Sequence, residues 1–558
     1  MNIIDSIEHW TKLLPNKKIM MFLNDKHDIV ESFTYIQFKL LTDKLAKTLI
    51  NKNITDKVLL VYPPGLDFMI AFIACIKAKI IPVPVYPPNP YTLKKDLLLF
   101  NNIVNESNIT TVLTNSEYHW ASTIASINFF KIKWPSLNWI ITNKLQINNS
   151  VNTLPEINMD DIAFIQYTSG SCSSPKPIII RHKNLADNIN TIKIALKNDD
   201  HSVDVSWLPQ YHDMGLIGSR LCCIANGGTG IYISPITFIM NPTYYIELCS
   251  KYKCTHIQGP NFMYKLIARK WIESKKYDDH TNSTFDLSSI YHIFNAAENI
   301  SNDDYMFFYN TFKDYGLKKE SLTTGYGLAE SVVYVCDSGY NNSRGGNVLI
   351  IKKEEMESNG QIILSDTSTN SKTIVGCGWS PNKDNDIIIV KNSVIMEDLN
   401  VGEIYVHSKS IVDEYLTEKI NDIYYLKTGD LGFIYNYELF FVGRCKDMIK
   451  INGKNYYPHD FEWVVEKNVL IKGGTTAVFE DDNKIILLTE PRNQSGTSDF
   501  YNKLAKQILT DIVEIFGFRI NIYFLKSKSI IKTTSGKISR SKCKKKYKTM
   551  KCIATYIL

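Results

Sequence analysis

The sequence lacks the features that would indicate a zinc ribbon, a disulfide framework or a secreted protein. Its eleven cysteines form no Cys-x-x-Cys pair, which argues against the usual zinc and redox spacings. The N-terminal segment "MNIIDSIEHWTKLL" carries acidic residues and has neither the basic start nor the apolar stretch of a signal peptide. We therefore expect reduced, mostly buried thiols and a cytoplasmic location.

Long apolar runs and a strong charge of one sign are missing as well. The most apolar window, 67–85, is interrupted by Lys77, Lys79 and Pro82, so a buried helix followed by a buried strand explains it better than a membrane span. A net charge of +6 over 558 residues gives little support to nucleic-acid binding. The sequence thus predicts no integral membrane segment and no nucleic-acid partner.

What the sequence does contain is an alternation of strand-like and helix-like segments between residues 29 and 180. A strand is predicted near 57–64, a helix near 65–78 and another strand near 80–88. This rhythm predicts an α/β fold in which parallel sheets are covered by helices. A chain of 558 residues is too long for one hydrophobic core, so several domains are expected.

The pattern changes at the segment "GRCKDMIKINGKN", after which a compact α+β module follows. We place the domain boundary near Arg444 to Lys446, with a large domain over 1–444 and a small domain over 445–558. Residues 341–372 are polar and rich in Asn, Ser, Gly and Lys, and a surface insertion is the simplest interpretation.

The segment "YTSGSCSSPKP", residues 167–177, has the composition of a phosphate-binding loop. Small residues allow successive backbone N–H groups to converge on an anion, and the hydroxyls of Thr168, Ser169 and Ser171 add donors. Lys176 adds a charge that can reach a phosphate oxygen. The spacing differs from the Walker pattern, so the residues alone leave a plain turn equally open.

Further segments support the interpretation of 167–177 as a phosphate loop. The loop itself resembles the phosphate-binding signature of the adenylate-forming superfamily. This superfamily includes acyl-CoA ligases, peptide-synthetase adenylation domains and luciferases. Four more segments resemble its other motifs in the same order: "GYGLAE" (325–330), "KTGDLG" (427–432), "GRCKDMIKINGKN" (443–455) and "KTTSGKISR" (532–540). The resemblance implies helix-covered mixed β-sheets and a β-subdomain in the large domain, a mobile small domain, and ATP and Mg²⁺ as cofactors.

The resemblance also assigns roles to individual residues. Lys537 is implied as the mobile catalytic lysine, Glu330 as the magnesium ligand and Lys446 as the hinge. A carboxylate can accept hydrogen bonds from both ribose hydroxyls, which suits Asp430, and Tyr326 offers a flat face to adenine. The residues expected to contact ATP or AMP are Thr168, Ser169, Gly170, Ser171, Lys176, Ala297, Glu298, Tyr326, Gly327, Asp430 and Arg444.

Within the superfamily, three features resemble the fatty acyl-AMP ligases. These are the paired "YPP" motifs near the N-terminus, the segments "VSWLPQYHDMGLIG" and "GPNFMY", and the insertion before "TIVGCGW". In that branch the insertion is thought to restrict domain rotation and to disfavour CoA. The residues expected to form the acyl pocket, with His212 also near the reacting carboxylate, are Trp207, His212, Asp213, Met214, Gly215 and Phe262.

The resemblance implies two half-reactions. A fatty acid and ATP give acyl-AMP and pyrophosphate, and the acyl group then passes to the phosphopantetheine thiol of an acyl carrier protein, typically one serving a polyketide or peptide synthase. No carrier segment follows the C-terminal signature in this sequence, so we expect the carrier to be a separate chain. The basic run over 532–551 is either a solvated helix face or a docking surface for such an acidic partner.

Two alternatives stay open. A long-chain acyl-CoA ligase would share almost every motif. A weakened adenylate-binding scaffold protein is suggested by the loop itself, in which Cys172, Ser173 and Pro177 depart from the usual Thr, Gly and Gly. These changes remove a hydroxyl donor and one N–H and add backbone strain of about 1–2 kcal/mol, so we expect a looser grip on the phosphates rather than an inactive site.

Overall fold

The computed structural model describes residues 1–89, 93–128, 134–145, 153–168, 175–275, 284–367, 370–533 and 536–557. The strands of the first half are β1 (Lys18–Leu23), β2 (Ile29–Thr34), β3 (Lys57–Leu60), β4 (Ile81–Pro84), β5 (Thr111–Thr114), β6 (Asn138–Ile141), β7 (Ile162–Tyr167), β8 (Pro177–Arg181), β9 (Val203–Ser206), β10 (Thr229–Tyr232), β11 (His256–Gly259), β12 (His292–Asn295), β13 (Leu322–Tyr326) and β14 (Cys336–Asp337). The strands of the second half are β15 (Val348–Lys352), β16 (Ser371–Val375), β17 (Asp386–Lys391), β18 (Val394–Ile395), β19 (Gly402–His407), β20 (Glu418–Ile420), β21 (Ile423–Tyr435), β22 (Glu438–Arg444), β23 (Ile449–Ile451), β24 (Lys454–Tyr456), β25 (Ile471–Asp481), β26 (Lys484–Pro491), β27 (Asn521–Leu525) and β28 (Cys552–Tyr556). The helices are α1 (Ile3–Leu13), α2 (Tyr35–Asn51), α3 (Asp67–Lys77), α4 (Leu93–Ser107), α5 (Ser116–Asn128), α6 (His182–Leu196), α7 (Cys222–Asn226), α8 (Pro235–Met240), α9 (Pro242–Lys251), α10 (Asn261–Lys275), α11 (Asn302–Phe312), α12 (Lys353–Ser358), α13 (Pro458–Glu466), α14 (Ser498–Phe516) and α15 (Arg540–Lys546), with a π-helical segment at Met214–Leu221.

The predicted βαβ rhythm is present near the N-terminus. β3, α3 and β4 occupy the predicted strand, helix and strand, and β3 and β4 pair in parallel. α3 is buried on nearly all sides, which explains its continuous run of apolar residues. These elements belong to a four-stranded parallel sheet in the order β4-β3-β5-β6.

The largest sheet has eight strands in the order β14-β13-β12-β11-β9-β10-β1-β2. Its inner pairs are parallel and only the edge strands β2 and β14 are antiparallel to their neighbours. The segments that follow β9, β11, β12 and β13 therefore leave the sheet at one edge, where the carboxyl ends of parallel strands commonly form a ligand site. These are the segments that carry most of the predicted pocket residues.

A third sheet is antiparallel, in the order β18-β17-β19-β21-β20 with β22 on β21. Its last hairpin, β21–β22, sets Asp430 directly opposite Arg444. A separate four-stranded sheet, β25-β26-β27-β28, forms near the C-terminus and packs on α13 and α14, with Phe461 and Ile508 in its core. The α/β fold class is confirmed, while the division at 444/445 stays a prediction.

The polar region 341–372 is more than a surface loop, so the simplest interpretation of it was incomplete. It contains β15 and α12 and reaches the start of β16, and β15 pairs antiparallel with β16. Ile351 and Met356 are buried in one apolar cluster with Phe433 and Phe440 of the β21–β22 hairpin. The apolar residues scattered through the polar segment anchor it to the third sheet.

Two further observations concern the chain as a whole. Within the described ranges, the ten cysteines are free thiols and eight of them are buried. No helix in that part of the chain is long and apolar enough to cross a membrane.

Candidate active site

Tyr326, Asp430 and Arg444 form a connected group at the end of β13 and along the β21–β22 hairpin. The Tyr326 hydroxyl donates to Oδ2 of Asp430 at 2.8 Å, and Nε of Arg444 lies 3.2 Å from Oδ1 of Asp430. Burial raises the pKa of the Asp430 carboxyl, although Arg444 and Tyr326 oppose this effect. The Tyr326 ring stacks on Phe441 with centroids 6.0 Å apart. The carboxylate is thus held in place by two partners before any ligand binds.

Glu330 lies in a short 3₁₀ turn that is followed by a strained residue. Val332 has φ = +64° and ψ = −65°, and the Val333 N–H donates to the Ser331 carbonyl at 2.7 Å, which is the pattern of a classic γ-turn. Such a conformation costs about 1–3 kcal/mol and persists only where the surroundings impose it. Burial raises the pKa of Glu330, and the nearby charges of Asp213 and Asp430 raise it further.

His212 and Asp213 lie on the turn between β9 and the π-helical segment. Nδ1 of His212 is 2.5 Å from Oδ1 of Asp213. Burial would raise the pKa of Asp213, but His212 and Lys537 outweigh this effect and the pKa is lowered. Asp213 is therefore an ionised carboxylate with two cationic or hydrogen-bonding neighbours.

Lys537 comes from the far end of the chain, and its ammonium is close enough to Asp213, Glu298, Arg444 and Asp430 for their charges to affect its pKa. Its loop is closed by a hydrogen bond from the Thr533 N–H to the Lys537 carbonyl at 2.7 Å. Burial lowers the pKa of the Lys537 ammonium, while Asp213 and Glu298 oppose this effect. The structure thus brings the predicted catalytic lysine together with the predicted pocket and nucleotide residues.

The segment after β12 supplies Ala297 and Glu298. Oε1 of Glu298 accepts a hydrogen bond from the Phe262 N–H at 2.7 Å, which links it to the start of α10. Ala297 has φ = +74°, a left-handed conformation that costs a residue with a Cβ about 1–2 kcal/mol. Burial raises the pKa of Glu298, and Lys537 partly offsets this rise.

Three of the predicted acyl-pocket residues, Trp207, Met214 and Phe262, belong to one apolar cluster. The Trp207 ring stacks on Phe238 with centroids 4.2 Å apart and meets Phe262 edge-on at 5.9 Å. Its indole Nε1–H points at the Met263 sulfur, 2.8 Å away, and Met214 belongs to the same buried cluster. Met263 lies within the predicted segment "GPNFMY" but was not named as a pocket residue, and Phe238 lies on α8, outside the predicted segments.

Two predicted glycines are required by close backbone approaches. A Cβ on Gly215 would lie 2.2 Å from the Pro209 carbonyl oxygen, and one on Gly327 would lie 2.0 Å from the Val333 carbonyl oxygen. Any larger residue would therefore displace the turns that carry His212 and Glu330.

The ends of the predicted phosphate loop are held by the antiparallel pair β7–β8, in which Tyr167 faces Pro177. The Thr168 N–H donates to the Lys176 carbonyl at 3.0 Å, and Lys176 is exposed. Ser169, Gly170, Ser171, Cys172 and Ser173 lie outside the described residues.

The predicted hinge residue Lys446 lies in a 3₁₀ turn, Cys445–Asp447, directly after Arg444. Arg540, three residues after Lys537, connects back to this turn, since its Nη1 is 3.5 Å from Oδ2 of Asp447. Arg540 also binds both carboxylate oxygens of Glu462. The lysine loop is thereby linked to the predicted hinge through one guanidinium.

A metal ion could be held only with the help of substrate atoms in the described part of the chain. No group of three or more His, Cys, Asp or Glu residues there has the arrangement of a metal site. The charges of Asp213 and Asp430 nevertheless reach Glu330, because each raises the pKa of its carboxyl. This suits Mg²⁺, which commonly binds one or two carboxylates together with substrate phosphates.

The fold and the grouping of the predicted site residues agree with the comparison with known protein families. The sequence pattern of the AMP-binding enzyme family matches residues 7–416. That of the AMP domain of Disco-interacting protein 2-like proteins matches residues 446–555. Because the first match covers well over half of the chain, the protein belongs to the AMP-binding enzyme family, the adenylate-forming superfamily.

Individual relatives narrow this assignment. A medium-chain-fatty-acid–[acyl-carrier-protein] ligase of Moorena producens is 30% identical, covering 98% of this chain and 95% of its own length. The crystal structure of a fatty acyl-adenylate ligase from L. pneumophila, in complex with acyl adenylate and pyrophosphate, has 31% identity and a TM-score of 0.73, and the match covers 100% of this chain and 97% of that one. A structure from a study of fatty acyl-adenylate ligases of E. coli and L. pneumophila has a TM-score of 0.88 with 26% identity, over 98% of this chain and 97% of that one. These relatives place the chain in the fatty acyl-AMP ligase branch.

Proposed function

We propose that the protein activates a medium- or long-chain fatty acid and passes it to an acyl carrier protein. A carboxylate oxygen of the fatty acid attacks the α-phosphorus of ATP, the bond to the bridging oxygen of the β-phosphate breaks, and acyl-AMP and pyrophosphate form. The phosphopantetheine thiolate of the carrier then attacks the acyl carbonyl, and AMP leaves. The observation that carries this proposal is that Asp213, Glu298, Asp430 and Arg444, from separate elements, all act on the charge of Lys537.

Lys537 answers the main electrostatic difficulty of the first step, in which two anions approach each other. A lysine ammonium between the carboxylate and the α-phosphate offsets their repulsion without a covalent step. The charges of Asp213 and Glu298 favour the protonated form of Lys537. His212 orients Asp213 through their hydrogen bond and lies near the expected carboxylate end of the acyl pocket.

The nucleotide would be held by residues on both sides of Lys537. Asp430 accepts the ribose hydroxyls, Arg444 supports the same group, and Tyr326 with Gly327 borders the adenine. The β7–β8 connection, with Thr168, Ser169, Gly170, Ser171 and Lys176, would hold the phosphates. Ala297 and Glu298 border the adenylate from the end of β12.

Glu330 would hold a magnesium ion together with phosphate oxygens. When bound, this ion offsets phosphate charge and polarises the phosphoryl oxygens. The raised pKa of Glu330 fits a buried carboxylate whose negative charge would be stabilised by a bound cation.

The acyl chain would lie against the cluster of Trp207, Met214 and Phe262, with Gly215 leaving room at its turn.

The carrier is proposed to be a separate acidic protein, and the exposed lysines of α15, Lys544 to Lys546, offer it a basic surface. A cytoplasmic location is proposed because the ten cysteines in the described part of the chain are free thiols, as expected in a reducing compartment.

The direct test supplies the full chain with ATP, Mg²⁺ and a series of fatty acids and follows acyl-AMP by mass spectrometry. We expect fatty-acid-dependent acyl-AMP and pyrophosphate, followed by acyl transfer to a phosphopantetheinylated carrier and little acyl-CoA when CoA is added. Efficient acyl-CoA release would identify an acyl-CoA ligase instead. Nucleotide binding without pyrophosphate release would identify a scaffold protein.

The insertion provides a second prediction, because it contacts the C-terminal module directly. Nζ of Lys372 lies 2.7 Å from Oδ2 of Asp460 on α13, and Nζ of Lys353 donates to the Ile515 carbonyl at 2.7 Å while lying 4.1 Å from the centre of the Phe516 ring. These contacts hold the module in the orientation that brings Lys537 to the pocket.

We expect the double substitution Lys353→Met with Lys372→Met to raise acyl-CoA formation at least about fivefold. Removing about 1 kcal/mol of stabilisation from one orientation shifts a two-state equilibrium by that factor. The ratio of acyl-CoA to acyl-AMP in a timed assay measures the effect. Lys352→Met, an exposed neighbour on β15, is the matched control, and an equal rise in the control would contradict the role of the contacts.

A further inference from the structure

Arg220 is a buried arginine of the π-helical segment that directly follows His212 and Asp213. Its side chain is almost completely inaccessible, with 4% of the residue exposed. A buried guanidinium is costly unless its charge and donors are satisfied. Sequence analysis gave this residue no role, and the proposed chemistry does not use it.

The guanidinium satisfies its donors by joining two backbone carbonyls at the base of the pocket turn. Its Nη1 donates to the Leu208 carbonyl at 3.1 Å and to the Gly215 carbonyl at 2.7 Å. Leu208 lies immediately before the turn that carries His212 and Asp213, and Gly215 lies near the end of that turn. A single guanidinium nitrogen therefore closes the turn at its base.

The turn is compact at the point where Arg220 holds it. A Cβ on Gly215 would lie 2.2 Å from the Pro209 carbonyl oxygen, so the two ends of the turn are in contact. The tip is held separately, because Nε2 of Gln166 on β7 donates to the Tyr211 carbonyl at 2.9 Å. Loss of Arg220 would thus release the base of the turn while its tip stays attached to the strand that leads into the phosphate loop.

The position of the guanidinium is itself fixed from two directions. It lies over the Tyr232 ring, with 4.4 Å between Cζ and the ring centre. Its counter-charge is Asp204, a buried carboxylate on β9 that accepts a hydrogen bond from Ser219 and has Nε2 of Gln258 3.5 Å away. A flat cation with several fixed donors fits these surroundings, whereas an ammonium would reach fewer of them.

We propose that Arg220 is a positioning residue for acyl activation, which acts through the Leu208 and Gly215 carbonyls to hold in place the turn that carries His212 and Asp213. It touches neither substrate nor cofactor. The kinetic test of this inference rests on the proposed function. The structural part, that Arg220 holds the turn, does not depend on the proposed function.

The kinetic test compares Arg220→Met and Arg220→Lys in the full chain. We expect Arg220→Met to lower kcat for fatty-acid-dependent pyrophosphate release on the order of 100-fold, the loss typical of a reacting group displaced by about 1 Å. The KM for ATP should change less than about threefold, because the Asp430–Arg444 pair is untouched. Arg220→Lys should recover part of the lost kcat, since an ammonium can still reach a carbonyl.

The matched control is Lys77→Met, which also replaces a buried cation by methionine but lies on α3, paired with Asp43 at 2.5 Å. The thermal stability of Lys77→Met should fall, as that of Arg220→Met should. The kcat of Lys77→Met should stay within about twofold of the parent. A kcat of Arg220→Met within about threefold of the parent, or a loss matched by Lys77→Met, would overturn the inference. If Arg220→Met does not fold, Arg220→Gln decides by the same criterion.

A second measurement does not need activity. Amine labelling of Lys537, followed by mass spectrometry, should be several-fold faster in Arg220→Lys or Arg220→Met than in the parent, because a displaced Asp213 no longer favours the protonated lysine. An unchanged labelling rate would overturn the inference. A parent protein that activates no fatty acid would contradict the proposed function, and the labelling result would still decide the role of Arg220.

Discussion

Replacement of Lys537 by alanine should lower the rate of acyl-AMP formation by about 100- to 1,000-fold, the usual cost of removing one preorganised charge from a site where charge develops. Asp213 and Glu298 favour the charged form of the Lys537 ammonium, and the neighbouring Thr533 N–H is engaged with the Lys537 carbonyl. Fatty-acid-dependent pyrophosphate release measures the effect. The substitution should barely change the thermal unfolding midpoint, because burial disfavours the charged lysine in the folded protein.

The two half-reactions separate this role from a general loss of structure. Transfer of the acyl group from preformed acyl-AMP to the carrier should fall much less, because no new bond to phosphorus forms in that step. Lys506→Ala, an exposed lysine on α14 away from the proposed carrier surface, is the control and should leave both steps unchanged. Equal losses in both half-reactions of Lys537→Ala would count against a role in the attack on the α-phosphate.

The charged residues of the candidate site were accessible from the sequence because their motifs resemble those of the adenylate-forming superfamily. Chemistry then gave each implied role a reason, since a carboxylate suits two ribose hydroxyls, a lysine suits two approaching anions and a carboxylate suits Mg²⁺, as proposed for Asp430, Lys537 and Glu330. The structure brings Asp430 and Lys537 into one group although more than a hundred residues separate them. Their partners were harder to predict.

The partners come from packing between distant elements, which has no period in the sequence. The hydroxyl of Tyr326 binds Asp430, whereas the sequence suggested only the flat ring. The Trp207 indole N–H donates to the Met263 sulfur on α10. Arg220 donates to two backbone carbonyls, which no side-chain pattern reveals. The γ-turn at Val332 was also inaccessible, because a β-branched residue at positive φ contradicts local preference and is imposed by its surroundings.

The Tyr326–Asp430–Arg444 group yields the second large prediction. Asp430→Asn keeps the shape of the side chain but removes the charge that faces Arg444 and would accept the ribose hydroxyls. Hydrogen bonds to charged groups contribute about 1.5–3 kcal/mol each, so a loss of about 2 kcal/mol corresponds to an increase in the KM for ATP of about 30-fold. The change in kcat should be smaller, because the carboxylate acts on the ribose in both the bound and the transition state.

A matched pair in the same sheet provides the control. The Tyr425 hydroxyl donates to Oδ2 of Asp386 at 2.6 Å, so Asp386→Asn alters an equivalent tyrosine–aspartate pair. Its KM for ATP should stay within about twofold of the parent value, since surface substitutions away from special features usually cost less than about 0.5 kcal/mol. Combining Asp430→Asn with Tyr326→Phe should cost less than the sum of the single changes, because both act on one hydrogen bond. Fully additive effects on the KM would mean that the tyrosine contributes through its ring alone, independently of the carboxylate.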